Sequence, residues 1–159
     1  MSTNEAPLHD RIAAWLQSEG HLTEVELHDE RYSSVKFVAR GYRMSVRVDA
    51  TDEHFLYIAM KLELPDNIID ELLARRAAAA VEAHAKVVKV ELDWADRRLT
   101  LAAEQLVTTP GGPDIFWRTV SYLFRSVEQM RVAFDDEAGR AAAQQFTSQL
   151  EAELTAKDA

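Results

Sequence analysis

Five histidines, His9, His21, His28, His54 and His84, are the side chains best suited to chemistry near neutral pH, and their spacing arranges none. No two stand four residues apart, and no HExxH run sets a pair on one helical face for a metal. A metal centre would have to assemble in space from His28, His54 and nearby carboxylates; scattered surface histidines are the simpler expectation. The carboxylates gather at Asp49-Asp52-Glu53, Asp93-Asp96 and Asp135-Asp136-Glu137. Glycosidase-type hydrolysis needs two carboxyls facing each other in a cleft, one with its pKa raised by burial. These acids fall where turns and strand edges are expected, which is the ordinary place for Asp. No DxDxDG order marks a calcium loop.

Phosphate and nucleophile chemistry are no better served. The glycine pair Gly111-Gly112 lies between Pro110 and Pro113, with neither GxGxxG nor GK[ST] beside it. Free amides there would meet an anion, but Pro113 removes one donor and Asp114 repels the guest. Ser33, Ser34, Ser45, Ser121, Ser126 and Ser148 have no GxSxG neighbours. Cysteine is absent, so thiolate nucleophiles, thiolate metal ligands and disulfides are all excluded. No catalytic, cofactor-binding or metal-ligating residue is assigned, and the chain reads as a non-enzyme without a cofactor.

The charge balance narrows the partners. Acidic residues number 27 against 18 basic ones, a formal net charge of −9. Such a chain repels phosphate backbones unless it carries a strong basic stripe. The densest basic run, Arg40, Arg43 and Arg47, is interrupted by apolar residues and followed by Asp49, Asp52 and Glu53, which suits a solvated sheet face. Nucleic acid and anionic membranes are therefore not expected partners. No apolar run approaches the roughly 20 residues of a membrane helix, and the polar start with Glu5 and Asp10 is unlike a signal peptide. The expected location is the cytoplasm.

The elements that would position any site follow from periodicity. Leu8, Ile12, Trp15 and Leu16 recur at helical spacing after Pro7, predicting a helix over 7–19 that stops at Gly20. From Thr23 the period becomes two. Val25 and Leu27, then Val35, Phe37 and Ala39, then Met44, Val46 and Val48 alternate with polar residues, with a hairpin at Gly41. A polar turn over 49–53 leads to a strand carrying Leu56, Ile58, Met60, Leu62 and Leu64 on one face, ended by Pro65. Asp66 is the expected cap of a helix to His84, with Ile69, Leu72, Leu73, Ala80 and Val81 as its core face. Val88, Val90, Leu92 and Trp94 form a strand that turns at Ala95-Asp96-Arg97 into Leu99, Leu101 and Ala103. Thr109-Pro110-Gly111-Gly112-Pro113 is the clearest break.

After the break, Phe116, Val120, Leu123, Val127, Met130 and Phe134 follow spacings of four and three, an apolar stripe over five helical turns. Asp135, Asp136, Glu137 and Gly139 are expected to interrupt it before a last helix over 138–156 bearing Phe146, Leu150 and Leu154. The predicted fold is α+β: an antiparallel sheet of five or six strands with helices on one face, in the order α-β-β-β-α-β-β-α plus a C-terminal helix. The expected organisation is a flexible 1–6, one α+β domain over 7–135, and a C-terminal amphipathic helix and tail over 136–159.

Over Leu8 to Phe134 the chain resembles the YbjN family of bacterial sensory-transduction regulators. The likeness is carried by the opening amphipathic helix, the apolar hairpin leading into Phe55 to Pro65, the Ala77-to-His84 helix running into Val87-Val88-Lys89-Val90-Glu91-Leu92, and the long helix after the Pro-Gly-Gly-Pro break. The resemblance implies a fold like that of type III secretion chaperones, an open antiparallel sheet with helices on one side, in a dimer. It implies no chemistry.

Together these readings point to an adaptor or chaperone-like protein that binds an unidentified protein partner and pairs as a homodimer. Its candidate interaction surface is Phe116, Val120, Leu123, Val127, Met130, Phe134, Phe146, Leu150 and Leu154 on the helices, with Trp94 at a hairpin end. Packing on the sheet is the competing role of the first stripe. The alternative function is a small-molecule sensor or enzyme with a site between sheet and helices, around Tyr57, His54 and Trp94.

Overall fold

A period of two makes strands here because every second side chain then shares one face of a pleated chain. The computed structural model of the protein describes residues 6–106 and 113–157. In it β1 (Thr23–Leu27), β2 (Tyr32–Ala39), β3 (Tyr42–Asp49) and β4 (Asp52–Glu63) form a meander, and β5 (Val88–Asp93) and β6 (Arg98–Leu106) a hairpin. All pairs are antiparallel, in the order β1-β2-β3-β4-β6-β5, so β1 and β5 are the edges. The β2–β3 turn is Arg40-Gly41, with φ of 50° and 80°, the positive pair of a primed two-residue turn that glycine accepts without strain.

Three helices cover one face: α1 (Leu8–Ser18), α2 (Glu71–His84) and α3 (Pro113–Lys157). α1 lies over β1 and β2, α3 over β4 and β6, and α2 fills the side between α3 and β5. Val35, Phe37, Met44, Val46, Val48, Leu56, Ile58, Met60, Leu99 and Leu101 point into this layer and are buried against Leu8, Ile12 and Leu16 of α1 and the apolar stripe of α3. An aromatic group joins α1 to α3 at the sheet: Trp15 meets Phe116 edge-on at 5.0 Å and Trp117 at 5.7 Å, and Phe37 stands 5.9 Å from Phe116. The Trp117 indole also donates to Glu19 Oε2 at 2.9 Å. The α+β class, the six antiparallel strands and the one-sided helical layer match the expectation from sequence.

Two helices differ from it. α2 begins at Glu71, not after Asp66: Asp70 is its cap, accepting from the amides of Leu72 at 2.8 Å and Leu73 at 3.4 Å. The preceding loop is held out of helical conformation by Arg97, whose guanidinium donates to the carbonyls of Ile68 at 2.7 Å and Pro65 at 2.9 Å. Ile68 takes the buried place, leaving Ile69 85 % exposed, and Leu72 and Ala80 are exposed as well. The face that packs is Ala74, Ala77, Ala78 and Val81, at helical spacings of three and four, and its small side chains let α2 approach its neighbours closely.

The second difference is at 135–139. α3 is continuous through Asp135, Asp136, Glu137 and Gly139, so the separate last helix is not observed. One glycine costs a helix only about 1 kcal/mol. Asp135 and Asp136 are on exposed positions, and the more buried Glu137 is paired with Arg140 at 2.8 Å across one turn. At 1.5 Å per residue α3 is roughly 67 Å long, and roughly 35 Å of it lies beyond Phe134. The expected break over 109–112 and the N-terminal residues 1–5 lie outside the described residues.

Candidate functional site

The helical stripe divides into core and surface. Phe116, Val120, Leu123, Met130 and Phe134 are buried on the sheet, and Val127 is half-buried against them. They are therefore core, and the expectation that this segment offers an interaction surface is corrected: the sheet covers it. What is exposed on α3 is different. Val132 is 54 % and Phe146 65 % exposed. Fourteen residues separate them, which places both within about 40° on a helix of 3.6 residues per turn. Among the described residues from Arg140 onward, every side chain is exposed. Leu150 and Leu154 lie outside the described side chains.

Trp94 stands at the far corner, half-buried in the β5–β6 turn with the Arg97 guanidinium 4.9 Å from its ring centre. An open cleft of ≈ 640 Å³ beside it is bordered by Glu71 and Arg75 of α2 and by Glu91 and Asp93 of β5. Glu71 and Arg75 already pair with each other at 2.5 Å. The sheet register separates the residues of the small-molecule reading. Tyr57 pairs with Glu104, whereas the turn bearing Trp94 lies beyond the Asp93–Arg98 pair, six residues along β6, so about 20 Å of strand lies between them. His54 is farther along β4 again. No site gathers these three.

The structure does assemble two contacts that sequence spacing hides. Adjacent Ser33 and Ser34 point to opposite faces of β2 and each meets a histidine: Ser34 Oγ lies 2.7 Å from His28 Nε2, and Ser33 Oγ 3.0 Å from His9 Nδ1. Each histidine also has an acid nearby, Glu26 at 4.0 Å from His28 and Asp10 at 3.6 Å from His9. Both separations exceed hydrogen-bond length, so neither imidazole is oriented by its acid as a nucleophilic triad requires. The Glu26 carboxylate is held by the Lys36 ammonium instead, and that hydrogen bond lowers its pKa. β2 is paired on both sides, which commits its amides to the ladders and leaves none near Ser34 for an oxyanion. These are satisfied polar contacts on a sheet, findable only once the β1–β2 register is known.

The other candidate groups settle the same way. His28 is engaged with Ser34, and no cluster of three or more ligating side chains occurs among the described residues. Asp49 accepts three bonds from Arg31, the shortest 2.6 Å, and two from Thr51; these hold its carboxyl well below the usual range. Glu53 pairs with Arg11 at 3.1 Å, and Asp93 caps its own turn by accepting from the Asp96 amide at 3.0 Å. Of the basic run, Arg43 and Arg47 are on the exposed sheet face as expected, with Arg47 stacked on Tyr57 at 4.5 Å, whereas Arg40 sits in the turn over Phe124 at 4.7 Å.

Known structures share this architecture. A protein described as uncharacterized, from Methanothermobacter thermautotrophicus, superposes with a TM-score of 0.60 at 14 % identity, over 81 % of this chain and 97 % of that one. YbjN from E. coli gives 0.45 at 18 % identity, over 82 % and 92 %. A chain of the ExsC–ExsE complex gives 0.47 at 13 %, over 79 % and 92 %. At these identities the likeness is one of fold. No protein-family model matches the chain, and no curated protein sequence does. Among the described residues no helix is long and apolar enough to cross a membrane.

Proposed function

We propose that this protein is a non-enzymatic interaction module, adaptor or chaperone-like, that works in the cytoplasm as a homodimer and engages another polypeptide. The observation that carries the reading is the projection of α3: a helix roughly 35 Å longer than the sheet needs, with Val132 and Phe146 exposed on one face. A helix that stands alone in water gains little from propensity and is stabilised chiefly by covering an apolar face. A second copy offers the same stripe and a closed two-fold arrangement. The polar contacts described above supply no nucleophile, acid–base pair or metal ligand set, which supports a role in binding. The acidic balance disfavours nucleic acid as the partner.

Light scattering on the full chain tests this. The expected mass at micromolar concentration is twice 18.0 kDa, falling toward 18.0 kDa in Phe146→Glu. A wild-type particle that stays at 18.0 kDa over that range removes the homodimer. A partner captured equally by wild type and Phe146→Glu moves polypeptide binding off α3.

A further inference from the structure

We propose that the uncovered face of the sheet is a second docking surface, fitted to a polypeptide helix that carries one acidic stripe between basic flanks. This goes beyond the α3 reading, since it concerns the opposite side of the molecule and another partner. All three helices lie on the other face, so the long outward side chains Lys36, Val38, Arg43, Arg47 and Lys61 of β2, β3 and β4 meet solvent, covering the small Ser34 and Ala59 between them.

The charge on that face is ordered. Arg43 on β3 and Lys61 on β4 are directly opposed in the register, and both are exposed. Like charges in that position repel and weaken the sheet. Neither is in an ion pair among the described residues, whereas the flanking Lys36 and Lys89 are engaged by Glu26 and Glu104. A chain with 27 acids thus holds two cations outside any ion pair side by side on its two central strands, near the β2–β3 hairpin end of the open face. Val38, the neighbour of Arg43 on β2, is 51 % exposed on the same side and supplies an apolar contact.

The borders of this strip choose the occupant. Glu24 lines it on β1 and Glu91 on β5, beyond the Glu26 and Glu104 carboxylates already paired with Lys36 and Lys89. Strands lie about 4.8 Å apart, so the cationic strip from β2 to β4 is about 10 Å wide, the diameter of one helix. A nucleic-acid backbone or an anionic bilayer presents negative charge across its whole width and is repelled by both borders. A helix is different, because residues three and four apart fall on one stripe and other residues on its flanks. Acids on the stripe meet Arg43 and Lys61, and lysines on the flanks meet Glu24 and Glu91.

The test uses the full chain and three labelled probes in fluorescence anisotropy: a 20-residue helical peptide with a glutamate stripe and lysine flanks, its scramble of equal composition, and a dT20 oligonucleotide. The striped peptide should bind at least tenfold more tightly than the scramble, weaken at least tenfold in Arg43→Thr/Lys61→Thr, and be unaffected by Phe146→Glu. Equal binding of the two peptides, stronger binding of dT20, or full affinity in the double variant overturns the proposal. Folding is followed alongside: removing the opposed cations should raise Tm by about 1–4 °C. A lower Tm would mean the pair stabilises the sheet, and the proposal would lose its basis.

Discussion

Leu123→Ala and Phe146→Ala, both on α3, should have opposite consequences, because one side chain is fully buried and the other 65 % exposed. Truncating Leu123 removes apolar atoms at a site packed between α3 and the sheet and leaves a cavity that the rigid layer closes only in part. Substitutions of this kind cost about 2–5 kcal/mol. In a chain of this length each kcal/mol corresponds to about 2–4 °C in Tm, so a fall of about 4–20 °C is expected at any protein concentration. Phe146 is largely exposed, so its truncation should stay within about 0.5 kcal/mol in dilute protein. The difference should grow as concentration rises, because association stabilises only what associates. Thermal unfolding followed by circular dichroism over a hundredfold range of concentration reads both numbers. A concentration-independent loss above about 2 kcal/mol for Phe146→Ala would refute the reasoning, since the ring would then be packed in its own domain. A loss below about 1 kcal/mol for Leu123→Ala would show that the first stripe is not core.

Acid should reveal the Asp49 site. Arg31 and Thr51 hold its carboxyl below the ordinary range, so its contribution is full well above the unfolded value near 3.9 and is lost progressively as pH falls from there through the depressed folded value. Asp49→Asn should therefore lower Tm at pH 7 and flatten the decline below about pH 5 relative to wild type; parallel curves would count against that site. The cap of α2 is equally testable. Asp70→Ala should lose about 0.5–2 kcal/mol in urea unfolding, whereas Asp66→Ala should stay within about 0.5 kcal/mol. The reverse order would restore the start of α2 near Asp66.

The sheet was the most legible part of this sequence, and the reason is geometric. A half-buried strand reports its own burial, so Met44, Val46 and Val48 against Arg43, Ser45 and Arg47 name both the element and its inner face. α2 was less legible because its packed face is built of Ala74, Ala77 and Ala78; the larger Ile69 and Leu72 drew the expected core face toward positions that are exposed. Its start was misplaced by four residues because Asp66 and Asp70 are equally good caps. The choice between them is made by Arg97, 29 residues away from Ile68 in the chain. The contacts of Ser34 with His28 and of Ser33 with His9 likewise depend on register and packing, which no local spacing encodes. The Phe116-to-Phe134 stripe was found correctly as an apolar face, but periodicity states only that a face is covered. It does not say by what.

The continuity of α3 bears directly on what covers its far end. Val132 follows the buried Met130 by two residues, about 200° around the helix, so the exposed stripe through Phe146 faces away from the sheet that buries the first one. Had the helix broken at 135–139, the last segment would have been free to fold back and lay Phe146 on its own domain. An unbroken helix removes that freedom, because a straight rod cannot turn its opposite side to the same sheet. Local propensity at Asp135, Asp136 and Gly139 is thus the point where cis and trans packing part. With the helix continuous through Gly139, Phe146 is held off the sheet of its own domain and stays 65 % exposed.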